Sequence, residues 1–489
     1  MNSIPRRSFL KSSITAGLGT AALGNLAQST WAKPLGANEA IRLAVVGCRG
    51  KGSGHIREFM KLADCRVVAI CDPDQAILDR EVSRLKEVEH HVKTYLDFRK
   101  LLEDDEVDAV VIASPNHWHS LMAIWACQAG KDVYVEKPVT HNLAEGEVLL
   151  RAAKKYDRIV QSGTQNRSDD GFRAGLEYLK QGDLGEIKWI HGVWYRTRDS
   201  IGKVTGPQAT PDTLDYDLWT GPAPLTPLNR QSLHYDWHWQ WKCGGGELGN
   251  SGVHQMDDCL YAMELDHYPK RVMSLGGRYL WGDDGETPNM HLALLDYEEI
   301  PMLVEVRNLP AKAGVDYPQN LRGRRMTNLI QCEHGYFMGG RGGSMVFDHD
   351  GKRLHKFPGD GGKSHLQNFL DAIRQHDRSL LNADVRGGVL SGDLCALSNL
   401  SYRVGRNAPV KEVQESIGDF PHGQEALDDL VSNLEACGVN LEAQPLALGA
   451  WLDLDQKGKP TAGDRETDSL LQALSMPSFR KPYTLPEQV

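Results

Sequence analysis

The sequence predicts a two-domain α/β protein: a doubly wound parallel sheet at the N-terminus, then a second α/β domain on a mainly antiparallel sheet. Three observations carry this. Short apolar runs alternate with amphipathic stretches from Ala40 to Gly163, as a parallel sheet with helical crossovers requires. A glycine-rich turn, Gly47-Cys48-Arg49-Gly50-Lys51-Gly52, follows the first apolar run. After Gln165 the texture changes to longer polar and aromatic segments, with Pro- and Gly-rich connections at 205–211 and 221–227.

In chain order, the first domain is expected to hold strands at 41–46, 67–71, 107–113, 133–136 and 159–162, with helices at 55–62, 75–86, 117–128 and 143–155 between them. The second is expected to hold strands at 187–195, 271–275, 290–295 and 302–306, and helices at 171–180 and 365–375. The domain limits follow as 38–165 and 166–445, leaving 446–489 as a weakly periodic tail packed on the body.

Residues 5–11 read PRRSFLK, and 12–27 are mildly apolar, uncharged and too short to anchor in a bilayer. With Thr30-Trp31-Ala32 as a cleavage site, 1–32 read as a twin-arginine signal peptide that exports an already folded protein to the periplasm or beyond. The alternative is a chance Arg6-Arg7 pair in a basic N-terminus. The net charge of −10, with no long Lys or Arg run after that segment, argues against nucleic acid or an anionic membrane as partner. No later run is apolar enough to span a membrane, so stable membrane insertion is not expected. Nine scattered cysteines without a C-x-x-C pair suggest free buried thiols rather than disulfides or a metal centre.

The glycine turn sits between a strand and a helix, the setting in which backbone N–H groups approach a pyrophosphate. The first domain is therefore expected to be a Rossmann dinucleotide-binding domain, the alternative being a plain strand-to-helix turn. Gly47 and Gly52 fit the first and third glycines of G-x-G-x-x-G, Gly50 lies between them, and Arg49 replaces the second. Asp72 ends the second strand, where a carboxylate can accept bonds from a ribose diol and repel a 2′-phosphate; this favours NAD over NADP. Asp72-Pro73 also reads as a helix N-cap followed by Pro. Two further motifs close parallel strands: Ser114-Pro115-Asn116-His117-Trp118-His119 and Glu136-Lys137-Pro138.

These motifs, in this order and followed by GGGELGNSGVH, resemble the Gfo/Idh/MocA oxidoreductases over roughly residues 40–403. The resemblance implies a second domain with a large open sheet, and oxidation or reduction of sugars and cyclitols. It implies cofactor contacts from Ser114, Pro115, Asn116, His119, Glu136 and Lys137. Hydride transfer from an alcohol needs a cation near the developing alkoxide and a base for the proton. Lys137 suits the first and His254 the second, the alternatives being a surface lysine and a core or capping histidine. Many relatives carry Asp four residues before that histidine, where this chain has Asn250; Asn can orient a ring or bind a hydroxyl but supplies no charge.

If extended, 234–241 would put Tyr235, Trp237, Trp239 and Trp241 on one face, for stacking on sugar rings, and His234, Asp236, His238 and Gln240 on the other. A buried sheet or subunit interface is the plainer alternative; a zinc site on His234 and His238 lacks supporting ligands. Arg167, at the domain junction, is expected either to border substrate or to make an interdomain ion pair. The function expected is an NAD(P)-dependent oxidoreductase acting on a carbohydrate, with tightly bound NAD, no metal, and a homo-oligomeric assembly. Two alternatives stand beside it: a redox-neutral, NAD-dependent glycosidase working through a transient keto-sugar, and a non-catalytic sugar-binding protein with a vestigial nucleotide site.

Overall fold

The computed structural model describes residues 40–298, 300–475 and 479–487. The twin-arginine segment lies outside them. In the first sheet, β1 (Ile41–Val46), β2 (Cys65–Cys71), β3 (Lys93–Tyr95), β4 (Ala109–Ile112), β5 (Asp132–Val135) and β6 (Val160–Ser162) run in the order β3-β2-β1-β4-β5-β6. Every pairing is parallel. The order reverses between β1 and β4, so a crevice opens at their carboxyl ends. All residues of β4 and β5 are buried, which is why they read as unbroken apolar runs. The short edge strand β3 has two exposed residues of three and leaves no such mark in the sequence.

The crossovers are α1 (Lys51–Phe59), α2 (Gln75–Lys86), α3 (Phe98–Leu102), α4 (Asn116–Gln128) and α5 (Leu143–Lys155). Side chains of Asp74, Asp97 and Asn142 accept backbone N–H bonds at the starts of α2, α3 and α5. The cap of α2 is thus Asp74, and the N-cap alternative for Asp72 is corrected by two residues.

After α6 (Asp170–Lys180) come the strands of the second sheet: β7 (Ile187–Tyr195), β8 (Arg271–Gly277), β9 (Met290–Asp296), β10 (Pro301–Arg307), β11 (Met326–Cys332), β12 (Gly335–Gly340), β13 (Gly343–Asp348), β14 (Arg353–Pro358), β15 (Arg406–Ala408), β16 (Leu446–Leu448), β17 (Leu452–Leu454) and β18 (Pro460–Thr461). The main path is β14-β13-β12-β11-β7-β10-β9-β8-β16-β15, with β17 joining β8 and β18 joining β17. Only β7 and β10 pair in parallel; the other pairings are antiparallel. The remaining helices are α7 (Tyr216–Thr220), α8 (Val253–Ala262), α9 (His365–Gln375), α10 (Val385–Arg403), α11 (Val410–Ile417), α12 (Gly423–Ala436) and α13 (Arg465–Ser475).

One face of this sheet packs through Ile190, Ala293 and Val304 on Met256 of α8 and Leu394 of α10. Part of the other face packs through Leu292, Leu294 and Leu303 on Leu427 and Leu430 of α12. The segment from 446 does not simply lie over the body: β16 and β17 are strands of the sheet, paired with β8. Nor does the first domain close at 165. Phe369 and Leu370 of α9 share a core with Leu43 and Val45 of β1, and Val385 and Val389 of α10 share another with Val133 and Val135 of β5.

All nine cysteines are buried and unpaired. Among the described residues no helix is long and apolar enough to cross a membrane, and no group of three or more His, Cys, Asp or Glu is placed to hold a metal.

Candidate active site

A cavity of about 600 Å³ opens at the carboxyl ends of β1, β4 and β5 and extends to the end of β7 in the second domain. The glycine turn forms its floor. Gly47 has φ +80, and a Cβ there would stand 2.7 Å from both Ala113 O and Ser114 N; a Cβ on Gly52 would lie 1.8 Å from Gly47 O. The turn is therefore pressed against β4 on one side and α1 on the other. The first turn of α1 holds no acidic residue and its N-cap, Gly50, makes no side-chain cap bond; Gly52 N bonds Arg49 O at 3.1 Å, and no carboxylate competes with an anion for the rest of the helix start. Arg49, Gly50 and Lys51 line the cavity; Gly52 does not, and its role is the close packing of helix on strand.

Asp72 lines the cavity beside the turn. Its carboxylate accepts from Cys48 N at 2.8 Å and Asp74 N at 3.0 Å. Burial outweighs these bonds and pushes its pKa up to about 6. Ser114, Pro115 and Asn116 also line the cavity, and Ser114 Oγ and Asn116 Oδ1 are buried without a partner among the described residues. These orphaned atoms, the glycine cradle and the helix N-terminus together fit a dinucleotide. His119 lines the cavity as well, but its ring joins Pro138 O and Ser114 O, each at 2.7 Å, and so ties the ends of β4 and β5 together.

Glu136 is buried and takes His55 Nε2 at 2.8 Å, Gln165 Nε2 at 3.1 Å and Lys51 Nζ at 3.4 Å. Burial opposes its charge, yet Lys51, His55 and Lys137 prevail and hold the carboxyl well below its usual range. Lys137 Nζ donates to Asn250 O at 2.5 Å. Burial lowers its pKa while Glu136 works in the other direction. Asn250 belongs to a single π-helical turn, Leu248–Gly252, directly before α8. That widened turn frees the carbonyl that Lys137 uses.

His254 is in the first turn of α8, stacked at 6.1 Å on Trp194. Its Nδ1 is buried without a partner among the described residues. Burial, and then Lys137, push its pKa down to about 3, so the ring is neutral. Negative charge near Asn250 comes from Glu247, which is fully buried, takes Arg198 at 2.8 Å and accepts from Asn250 Nδ2 at 3.2 Å. His238 stands 3.6 Å from the same carboxylate.

Three expectations are corrected. Residues 234–241 are not extended: Asp236–Trp239 form a 3₁₀ turn after Tyr235, whose φ is 68, and His238 N bonds Tyr235 O at 3.2 Å. Consequently no aromatic face forms. Trp237 lines the cavity, whereas Trp239 is buried against Trp281 and Arg278. Arg167 does not border the cavity; it makes a bidentate ion pair with Asp257 at 2.7 and 2.9 Å, as its second reading had it, although both residues lie in the segment assigned to the second domain. The sequence reading also missed Lys51, His55, Trp194, Arg196, Arg198 and Glu247. A signal existed for three of them, because Trp194, Arg196 and Arg198 alternate along one extended stretch and all line the cavity.

The segment from 205 to 243 straps the crevice. Gln75 N donates to Thr213 O at 2.9 Å and Thr213 Oγ1 to Asp74 at 2.7 Å on one bank. On the other, Trp118 Nε1 donates to Trp219 O at 3.0 Å.

The chain is similar to known proteins over these same parts. An alpha-N-acetylgalactosaminidase from Shewanella oneidensis is 31% identical over 212 residues, covering 39% of this chain and 46% of that protein. A glycosyl hydrolase family 109 protein 1 from a Shewanella species is 32% identical over 214 residues, with the same coverage. The chain thus spans about half the length of the curated relatives it matches. The fold is shared with the WlbA dehydrogenase from Bordetella pertussis, solved with NADH and UDP-GlcNAcA, at a TM-score of 0.55 and 21% identity over 73% of this chain and 95% of that one. GenD2 from gentamicin A biosynthesis, solved with NAD, gives 0.53 and 17% over 74% and 93%. Residues 41–164 match the oxidoreductase family with an NAD-binding Rossmann fold, and residues 190–274 match that family's C-terminal alpha/beta domain. The two matched models, in this order, are those of the two domains of the Gfo/Idh/MocA oxidoreductases.

Proposed function

We propose that the chain binds NAD in this cavity and carries out hydride chemistry at a hydroxyl of a carbohydrate. The observation that carries the reading is the convergence of Lys137 and the unpartnered, neutral His254 on a cavity floored by the glycine turn. Bound NAD supplies a hydride acceptor. Lys137, held by Asn250 O, presents positive charge to the substrate oxygen. His254, whose ring lines the cavity, accepts the hydroxyl proton. A ring of such low basicity suffices because the hydroxyl becomes strongly acidic as the hydride departs. Trp194, stacked on His254, offers an apolar face to a sugar ring.

A second reading, redox-neutral cleavage of a glycoside, is favoured by the names of the relatives above. Here a transient ketone would acidify the neighbouring C–H, the aglycone would leave by elimination, and water addition and re-reduction would close the cycle. Retention of the nucleotide is part of the proposal, supported by the strap from 205 to 243. So is export through Arg6 and Arg7, which rests on the sequence alone. The test is to denature the purified protein, identify the released nucleotide, and assay the intact protein without added nucleotide. Sustained aglycone release supports cleavage, and build-up of stoichiometric NADH with a free sugar supports net oxidation. Absence of any nucleotide, with no reduction of added NAD by sugars or glycosides, would overturn both.

A further inference from the structure

The far end of the cavity is cationic without compensation. β7 and β12 each pair antiparallel with β11, so their carboxyl ends emerge at the same sheet edge. Arg196 follows β7 there and Arg341 follows β12, and both line the cavity that holds His254. Two strand spacings separate the parent backbones by roughly 10 Å, a gap two extended side chains can close around one group. Neither arginine makes an ion pair or a side-chain hydrogen bond among the described residues. Arg198, two residues beyond Arg196, is by contrast held by Glu247.

The carboxylates that line the cavity are all spent elsewhere. Asp72 serves the turn after β1, Asp97 caps α3 and pairs with Arg99, and Glu136 is surrounded by His55 and Lys51. The positive end belongs to a chain of net charge −10. An arginine presents five donors and no acceptor, so a pair of them suits a group made only of acceptors, whereas a neutral hydroxyl needs both kinds of partner.

We propose that the substrate is an anionic carbohydrate whose carboxylate, sulfate or phosphate is held by Arg196 and Arg341 while its hydroxyl meets Lys137 and His254. This rests on the assignment of the cavity to a carbohydrate, but its test needs no turnover. Calorimetry on the protein as purified, with its nucleotide, compares glucose and galactose with glucuronate, galacturonate and the 6-sulfates and 6-phosphates of both sugars. At least one anion is expected to bind about tenfold or more tightly than its neutral parent, to weaken as salt rises, and to identify which acidic group is used. Arg196→Gln and Arg341→Gln, both on exposed side chains, should each cut that advantage severalfold, and the double variant should abolish it. Equal binding of neutral and anionic sugars, binding of no anion, or an advantage that survives the double variant would overturn the proposal. Reduction of bound nicotinamide is read separately, so failure of the hydride reading is distinguishable from failure of the anion site.

Discussion

Two glycines two residues apart in α1 should respond in opposite directions to the same substitution. Gly52→Ala would place its Cβ 1.8 Å from the carbonyl oxygen of Gly47, whereas Gly54→Ala meets nothing within 4 Å. Contacts of Cβ under 3.0 Å are essentially never seen, so the helix start and the turn must separate by more than 1 Å in Gly52→Ala. The obstacle is backbone and cannot rotate away, so overpacking of about 1–3 kcal/mol is expected. The same displacement moves the N–H groups that would face the phosphates of a bound dinucleotide, and a 1 Å error in such a site costs on the order of a hundredfold. Gly54→Ala should instead stabilise by about 0.5–1 kcal/mol, through the helix propensity of alanine. The assay is nucleotide content per chain after purification, together with the denaturation midpoint of each variant. Gly52→Ala is expected to arrive depleted and less stable, and Gly54→Ala loaded and slightly more stable. Full loading of Gly52→Ala at an unchanged midpoint would refute the packing argument.

Asp72 is ionised above about pH 6 and neutral below it, because burial raises its pKa; repulsion of a 2′-phosphate should therefore fade as pH falls through 6. Asp72→Asn should shift preference toward NADP at pH 8 and change little at pH 5, as read by competitive nucleotide binding; an equal shift at both would remove the charge from the explanation. Lys137→Met and His254→Asn should each slow the chemical step at least a hundredfold while retaining nucleotide. Because His254 is neutral above about pH 3, the rate profile should show no break near 6.5 from this ring; such a break, lost in His254→Asn, would contradict the assignment. Arg167→Met leaves the fully buried Asp257 without its partner and should cost about 3–5 kcal/mol of stability, with KM unchanged in whatever fraction remains folded.

Much of the fold was legible because its signals are local. Helices α2, α5 and α9 and strand β7 begin and end where periodicity places them. The rest depends on partners distant in sequence. The exposed edge strand β3 is defined only by its bonds to β2, and β16 and β17 are tied into the sheet by theirs to β8. The turn at 234–241 hinges on the left-handed backbone of Tyr235, a conformation that tyrosine does not advertise. In the site, the motif residues Lys137 and His254 reach one cavity as expected, while Glu247 and Lys51 matter through contacts that no spacing encodes. For Arg167 the sequence held two readings, and the bond to Asp257, 90 residues away, decided between them.

The return of α9 and α10 to the first sheet bears on how the chain can be cut. The matched N-terminal segment ends at residue 164, but the core around β1 is completed by Phe369, Leu370 and Leu381. Ser162 N, at the end of β6, is bonded to Ala383 O. A fragment ending near 164 would display on one flank of its sheet the apolar side chains that α9 normally covers, and it would be prone to stick to other chains. During synthesis the nucleotide-binding half therefore stays unfinished until more than 200 further residues have emerged. Any truncated version meant to hold nucleotide must carry the stretch from 365 to 389, grafted or co-expressed, because homology and folding draw the domain boundary in different places.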